Sequence, residues 1–394
     1  MKVCGSVGAM AALLTFAITS SALQVLAKGS VAKNTGSPSL AEFIEIPQVA
    51  SADTVQPFPQ GSRLVHITTE EPTRPPVNLT PQFFTVAYPH VSFDGASVLF
   101  SGQKEKGSRW QIWEMAADGS NLRQITHCSS DCIQAEYLPL NQIVYAAINH
   151  TGSLQVSTLY VIQRNGKNAH PITFGPGNFQ VERVLHSGRI LISAESPLRV
   201  DVNGTSRRAL DVMRPDGTGL HLLPPGSAIA SEIRAGANGP RVSLAPHAAP
   251  LSFPSILHLE LQTGRVLCLN SYISEDVLQG RIAKPITQVR VIALEPEHLE
   301  RILGNAPVEK DGSFYMTVPA DTPIRFALLD AHGGVIREQK SWIWTRPGED
   351  RGCLGCHENP ALAPENHWPL TLQRFDTPTP VGITAHPNTA KKDQ

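Results

Sequence analysis

The chain lacks a surplus of charge of either sign. Its 33 Lys and Arg stand against 34 Asp and Glu in 394 residues, a formal net charge of −1. That balance excludes a field built for nucleic acid, and equally a long acidic tail. Long apolar runs are missing too: no stretch reaches the roughly 18 apolar residues that a membrane-spanning helix requires. Gly-x-Ser-x-Gly does not occur, which removes the nucleophile elbow of a propeller-associated hydrolase. What the chain has is turns. Gly (30) and Pro (32) together fill about one position in six, too many for a helical bundle and too few for a low-complexity chain. Apolar residues at 41% suffice for packed cores, and the length suggests two or three domains.

The first residues read as a targeting segment. Lys2 precedes an apolar run from Ala9 to Ile18, and Val25-Leu26-Ala27 fits the small-residue rule for signal-peptidase cleavage. The expectation is a signal peptide over 1–27 and a periplasmic or secreted protein with no membrane span after cleavage. Residues 28–61, rich in Ser, Ala and Pro without periodicity, read as a flexible arm. Of the five remaining cysteines, Cys128 and Cys132 bracket Ser-Ser-Asp and could close a short disulfide loop or stay reduced. Cys268, between two leucines in a strand-like run, reads as a buried small hydrophobe.

A repeat then appears. Met115-Ala-Ala-Asp118-Gly119 is followed by Ile162-Gln-Arg-Asn165-Gly166, by Met213-Arg-Pro-Asp216-Gly217 and, more weakly, by Leu259-Glu-Leu-Gln-Thr263-Gly264. The glycines lie 47, 51 and 47 residues apart, a period typical of propeller blades. Asp-Gly or Asn-Gly between apolar runs supplies the positive φ angles of a hairpin turn, and each unit has room for four strands. A β-sandwich with evenly spaced turns is the alternative. The fold expected is mainly β: propeller-like repeats, about four blade units, over 62–274. The alternating runs at Val289–Ala293, Phe314–Val318 and Ile324–Leu329 predict a small β-sandwich over 275–346. Residues 347–394 read as a C-terminal haem-binding segment and tail.

That assignment rests on Cys353-Leu-Gly-Cys356-His357, the attachment sequence for c-type haem. Two thiols at i and i+3 reach the porphyrin vinyls, and the adjacent histidine becomes the proximal iron ligand. A thioredoxin-like site would need a βαβ context and a zinc site a second Cys pair; neither is evident. One covalent haem c is expected, on Cys353 and Cys356, with iron on His357. Trp342 and Trp344 alternate before the motif and Trp368 follows it, so all three are candidates for the haem shell, though ordinary core is the rival reading. His367 is the candidate sixth ligand, with His258, His332 and His386 as rivals and an open site as a further possibility. Met115, Met213 and Met316 read as core.

Pro89-His-Val-Ser-Phe-Asp-Gly95 with Trp113-Glu-Met-Ala-Ala-Asp-Gly119 resembles the TolB-type propeller repeat. Gly312-Ser-Phe-Tyr-Met-Thr-Val-Pro319 and Ser341-Trp-Ile-Trp344-Thr-Arg346-Pro-Gly-Glu349 through His357 resemble the hydrazine synthase alpha subunit and its relatives. The resemblance implies a propeller followed by a C-terminal haem domain. The family enzyme carries a second haem motif where the chemistry occurs, whereas this chain has one. On that ground the motif is placed on the electron-transfer haem. The expected function is an exported monohaem cytochrome whose propeller docks a redox partner protein. The alternative is a haem enzyme acting on a small nitrogen or oxygen species.

Single Cys353→Ser and Cys356→Ser changes are expected to reduce covalent haem, and the double change to abolish it. Peroxidase staining of the denatured protein on a gel reads this directly, and equal staining of double variant and wild type would refute the attachment.

Overall fold

The computed structural model describes residues 42–45, 60–68, 75–151, 154–200, 206–223, 241–273, 285–295, 299–339, 341–355 and 367–383. The signal-peptide segment, most of the N-terminal arm, Cys356, His357 and His386 lie outside them. All described residues belong to one compact unit, Leu40–Gln394. Among the described residues helix is confined to one 3-10 turn, Leu370–Gln373. No helix among the described residues is long and apolar enough to cross a membrane.

Strands follow the hairpin logic of the repeat. Thr85–Val91, Ser97–Gln103, Gln111–Ala116 and Arg123–Gln124 form one antiparallel four-stranded unit. Asp131–Leu138, Gln142–Thr151, Leu154–Gln163 and His170–Pro171 form the second; Asn178–Val184, Ile190–Val200, Ser206–Met213 and His221–Leu222 form the third. A parallel bridge, Ser157↔Asn178, joins these two into one sheet. Gly119, Gly166 and Gly217 sit at φ of +86°, +83° and +84°, as the Asp/Asn-Gly turns require. The three methionines are buried at 1% exposure or less, and Cys128 and Cys132 form a disulfide.

The fourth propeller-like unit is not the one that the fourth glycine suggested. It is split: Glu42–Glu45, Val65–Thr68 and Val77–Asn78 pair with Arg241–Ser243, with Phe43 opposite Ser243. A strand therefore stands where a flexible arm was expected. No sheet closes on itself.

Thr263–Cys268, which carries the fourth glycine, belongs instead to the sandwich. It pairs with Phe314–Pro319 on one side and, in parallel, with Asp350–Cys353 on the other; Thr379–Pro380 completes the sheet. Facing it are Glu300–Pro307, Gln288–Leu294, Ile324–Leu329 and Val335–Glu338. The core between the sheets is Val266, Cys268, Phe314, Met316 and Val318 against Val289, Val291, Ile324, Phe326 and Leu328. So the sandwich begins earlier than 275, and its sheet recruits the segment read as a tail. Gly264 explains why the Thr-Gly turn misled. It has no left-handed φ among the positive-φ glycines; a Cβ there would lie 2.5 Å from Thr345 Cβ and 2.9 Å from Arg346 O. It is glycine for close approach, not for a turn.

Gly264→Ala is expected to destabilise the protein by about 1–3 kcal/mol through overpacking against a backbone that cannot retreat. A urea midpoint that does not fall would show that Thr345 and Arg346 are not held against this strand.

Candidate functional site

The site forms where residues 341–355 run from the sandwich across the propeller and back. Trp344 is the wedge. Its ring is 1% exposed and sits in the core of the second and third units with Val144, Leu159, Val181, Ile192 and Met213. It packs edge-on against Phe174 and Phe179, with ring centroids 6.0 and 5.8 Å away. Arg346 Nη1 donates to Pro171 O at 3.0 Å, pairs with Asp321 at 3.1 Å, and its guanidinium lies over the Phe174 ring. Burial pushes the Asp321 carboxyl above its ordinary value, with Arg346 opposing; burial likewise lowers the Arg346 guanidinium, with Asp321 opposing. Glu349 accepts from Gly219 N at 3.0 Å and from Arg346 N at 2.8 Å. Arg351 donates to Trp344 O at 3.1 Å and Leu220 O at 2.8 Å.

Under this strap lies a cavity of about 900 Å³. Its propeller wall includes Phe174, Phe179, Asp211, Leu220 and His221; its sandwich wall includes Cys268, Phe314, Phe326, Trp342 and Trp344; its floor is Glu349 through Gly355. The volume is near the upper end of the roughly 300–1,000 Å³ of sites that bury most of a ligand. Cys353 ends the strand Asp350–Cys353, half-buried, register-matched to buried Cys268 on the neighbouring strand. The chain continues alongside it, with Leu269 N donating to Cys353 O at 2.9 Å. A Cβ on Gly355 would meet Ile273 O at 2.3 Å, so glycine lets the motif lie flat against the sandwich.

These residues suit a haem. Cys353 opens onto the cavity, the walls are aromatic and aliphatic, and the indole N–H groups of Trp342 and Trp344 are buried with no acceptor among the described residues.

Of the expected shell, Trp342 and Trp344 are brought together at the cavity, the first against Ile292, Ala327 and Leu329. Trp368 is not: it is 67% exposed and absent from the lining. The turn Leu370–Gln373 is anchored by Leu370 N to Asp311 and Thr371 N to Ser313, which buries Thr371 and turns Trp368 outward. His367 shares that anchor, with Nε2 3.3 Å from Asp311 Oδ2, and it does not line the cavity. Burial draws the Asp311 carboxyl upward, but hydrogen bonds from Leu370 N, Ser313 and His367 outweigh it and hold it below its ordinary value. His258 lies exposed beside Glu260, and His332 is exposed in the turn after Ile324–Leu329. His221 was missed. It occupies the repeat position of Arg123 and His170, and only the docking of the sandwich onto the third unit distinguishes it.

Comparison with known proteins gives four matches. Residues 265–358 match the hydrazine synthase alpha subunit middle domain. The hydrazine synthase subunit alpha of Kuenenia stuttgartiensis is 35% identical over 105 residues, 26% of this chain and 13% of that protein. The matched stretch is therefore a small part of the relative's length. The solved Kuenenia stuttgartiensis hydrazine synthase superposes with a TM-score of 0.70 at 16% identity, over 86% of this chain and 72% of that one, which shows a shared fold. TolB from Agrobacterium tumefaciens scores 0.34 at 16% identity over 41% of this chain and 56% of its own, too low to argue from. Residues 265–358 are thus similar to part of the hydrazine synthase alpha subunit, and this corrects the expected function. A monohaem electron-transfer cytochrome followed from placing the single motif on the electron-transfer haem. The stretch that holds Cys353, Cys356 and His357 instead matches the middle domain of an enzyme subunit.

Trp344→Ala should cost about 3–5 kcal/mol, the range for deleting a large buried aromatic, whereas Trp368→Ala should stay within about 0.5 kcal/mol. Chemical denaturation of the two variants side by side checks both, and comparable losses would contradict this placement.

Proposed function

We propose that the chain is a haem enzyme acting on a small nitrogen or oxygen species, as a hydrazine synthase alpha-like subunit. The observation that carries this reading is one coincidence of position: the attachment motif falls within the stretch that matches the enzyme's middle domain, and its Cys353 opens onto the cavity under the strap. Cys353 and Cys356 would hold the porphyrin and His357 the iron. Bound there, a c-type haem supplies an iron that binds small ligands and exchanges electrons with them. The chain's own residues supply the setting. Phe174, Phe179, Phe314 and Trp344 line the chamber with rings that keep water out, which strengthens electrostatic interactions inside. His367, held against Asp311 and outside the cavity lining, would leave the iron free to take a small ligand. Electrons would come from or go to a redox partner protein. Export fits the same reading, because thioether attachment at this motif takes place outside the cytoplasm; residues 1–27 would be its signal.

The test is ligand binding by the purified, haem-loaded protein. Ferrous protein exposed to carbon monoxide or nitric oxide should shift its Soret band at stoichiometric haem. A six-coordinate spectrum indifferent to both gases would overturn the open-site enzyme.

A further inference from the structure

Among the described residues, one histidine lines the cavity, and it is His221. Its orientation is set by its own chain. Nδ1 lies 2.9 Å from Gly219 O, and a carbonyl only accepts, so Nδ1 carries the hydrogen. In the neutral ring Nε2 is then the nitrogen with the lone pair. Fixing one imidazole nitrogen on a backbone carbonyl is how proteins make the other available. The same turn geometry recurs one unit earlier, where His170 Nδ1 lies 3.0 Å from Asn168 O; there the sandwich presents Asp321, whose titration senses His170. In the third unit the sandwich presents the cavity instead.

The other ionisable groups of the lining have structural employment. Glu349 accepts two backbone N–H groups, Asp350 pairs with Arg265 at 2.6 Å, and Arg351 is spent on two carbonyls. Asp211 is 8% exposed and engaged. Arg189 cannot act as a base, since a guanidinium does not deprotonate in a protein. A half-open cavity with one uncommitted imidazole nitrogen has one group suited to proton transfer.

We propose that His221 is the general base of this cavity and that the species it serves is protic, a small molecule that arrives with a proton it must give up. The proton passes to Nε2, the bonding pair stays on the atom that released it, and no oxidant is consumed in that step. This assignment rests on the haem-enzyme reading, and the experiment separates the two.

The probe is hydrogen cyanide with the ferric, haem-loaded protein, and carbon monoxide with the ferrous form as control. Hydrogen cyanide must give up its proton to bind iron through carbon; carbon monoxide has none to give. General-base assistance typically contributes about 10²–10⁴-fold. His221→Leu and His221→Gln should therefore each slow cyanide association at least about 100-fold, while carbon monoxide association stays within about threefold of wild type. His221 is exposed, so both variants should keep the wild-type unfolding midpoint. Unchanged cyanide association in either variant overturns the assignment. So does an equal change in both probes, which would make the residue a steric gate. Carbon monoxide binding that appears only when His221 is removed would make it an iron ligand and overturn it as well. A wild type with covalent haem that binds neither probe overturns the enzyme reading itself.

Discussion

The insertion of Trp344 between the second and third units is what the rest of the structure depends on. A ring at 1% exposure in another element's core fixes the strap's path to within a side chain's width, because close-packed interiors tolerate little displacement. Everything after it is then positioned in sequence. Arg346 turns into its pocket over Phe174, Glu349 reaches back to Gly219, Arg351 caps Trp344 O, and the chain arrives at Cys353 alongside Cys268. The charged members of this relay are largely buried, and such groups are tolerated only when their hydrogen bonds are met. Glu349 illustrates this: one carboxylate satisfies a propeller amide and a strap amide, so the two modules share a single acceptor.

The cavity is a product of that docking, not of either module alone. Neither the propeller repeat nor the sandwich alone supplies the walls of this chamber of about 900 Å³; it arises where the third unit, the sandwich and the strap meet. Both indoles that line it come from the strap, while the imidazole comes from a blade. A binding chamber made of contributions from separate modules is common at domain interfaces.

Period-two and turn signals are local, so the mainly β fold, the first three units, the sandwich strands and the buried methionines are legible in the amino-acid sequence alone. The errors share one cause: pairing partners distant in sequence leave no local mark. Glu42–Glu45 lies between Val65–Thr68 and the far Arg241–Ser243, and Asp350–Cys353 pairs with Arg265–Cys268. Thr263-Gly264 copied the repeat's dipeptide but answered to Thr345. Chemistry in the motif is legible because attachment requires adjacent residues. Trp368 was overread because proximity in the chain stood in for proximity in space, and His221 was passed over because blade position looked structural.

The split unit carries a consequence for the order in which the molecule is made. Its first strand pairs early with Val65–Thr68, but its second partner is synthesised about 200 residues later, Phe43 opposite Ser243. Until then its outer edge is unpaired, the kind that seeks partners in other chains. Closing so long a loop costs only slightly more than closing a shorter one, since the entropy grows with the logarithm of length, but it delays the event. The three contiguous units can assemble as they emerge, whereas the fourth waits for residue 243. Assembly of the propeller region is thus timed from its far end, and premature release of a chain shorter than this would leave an adhesive terminus.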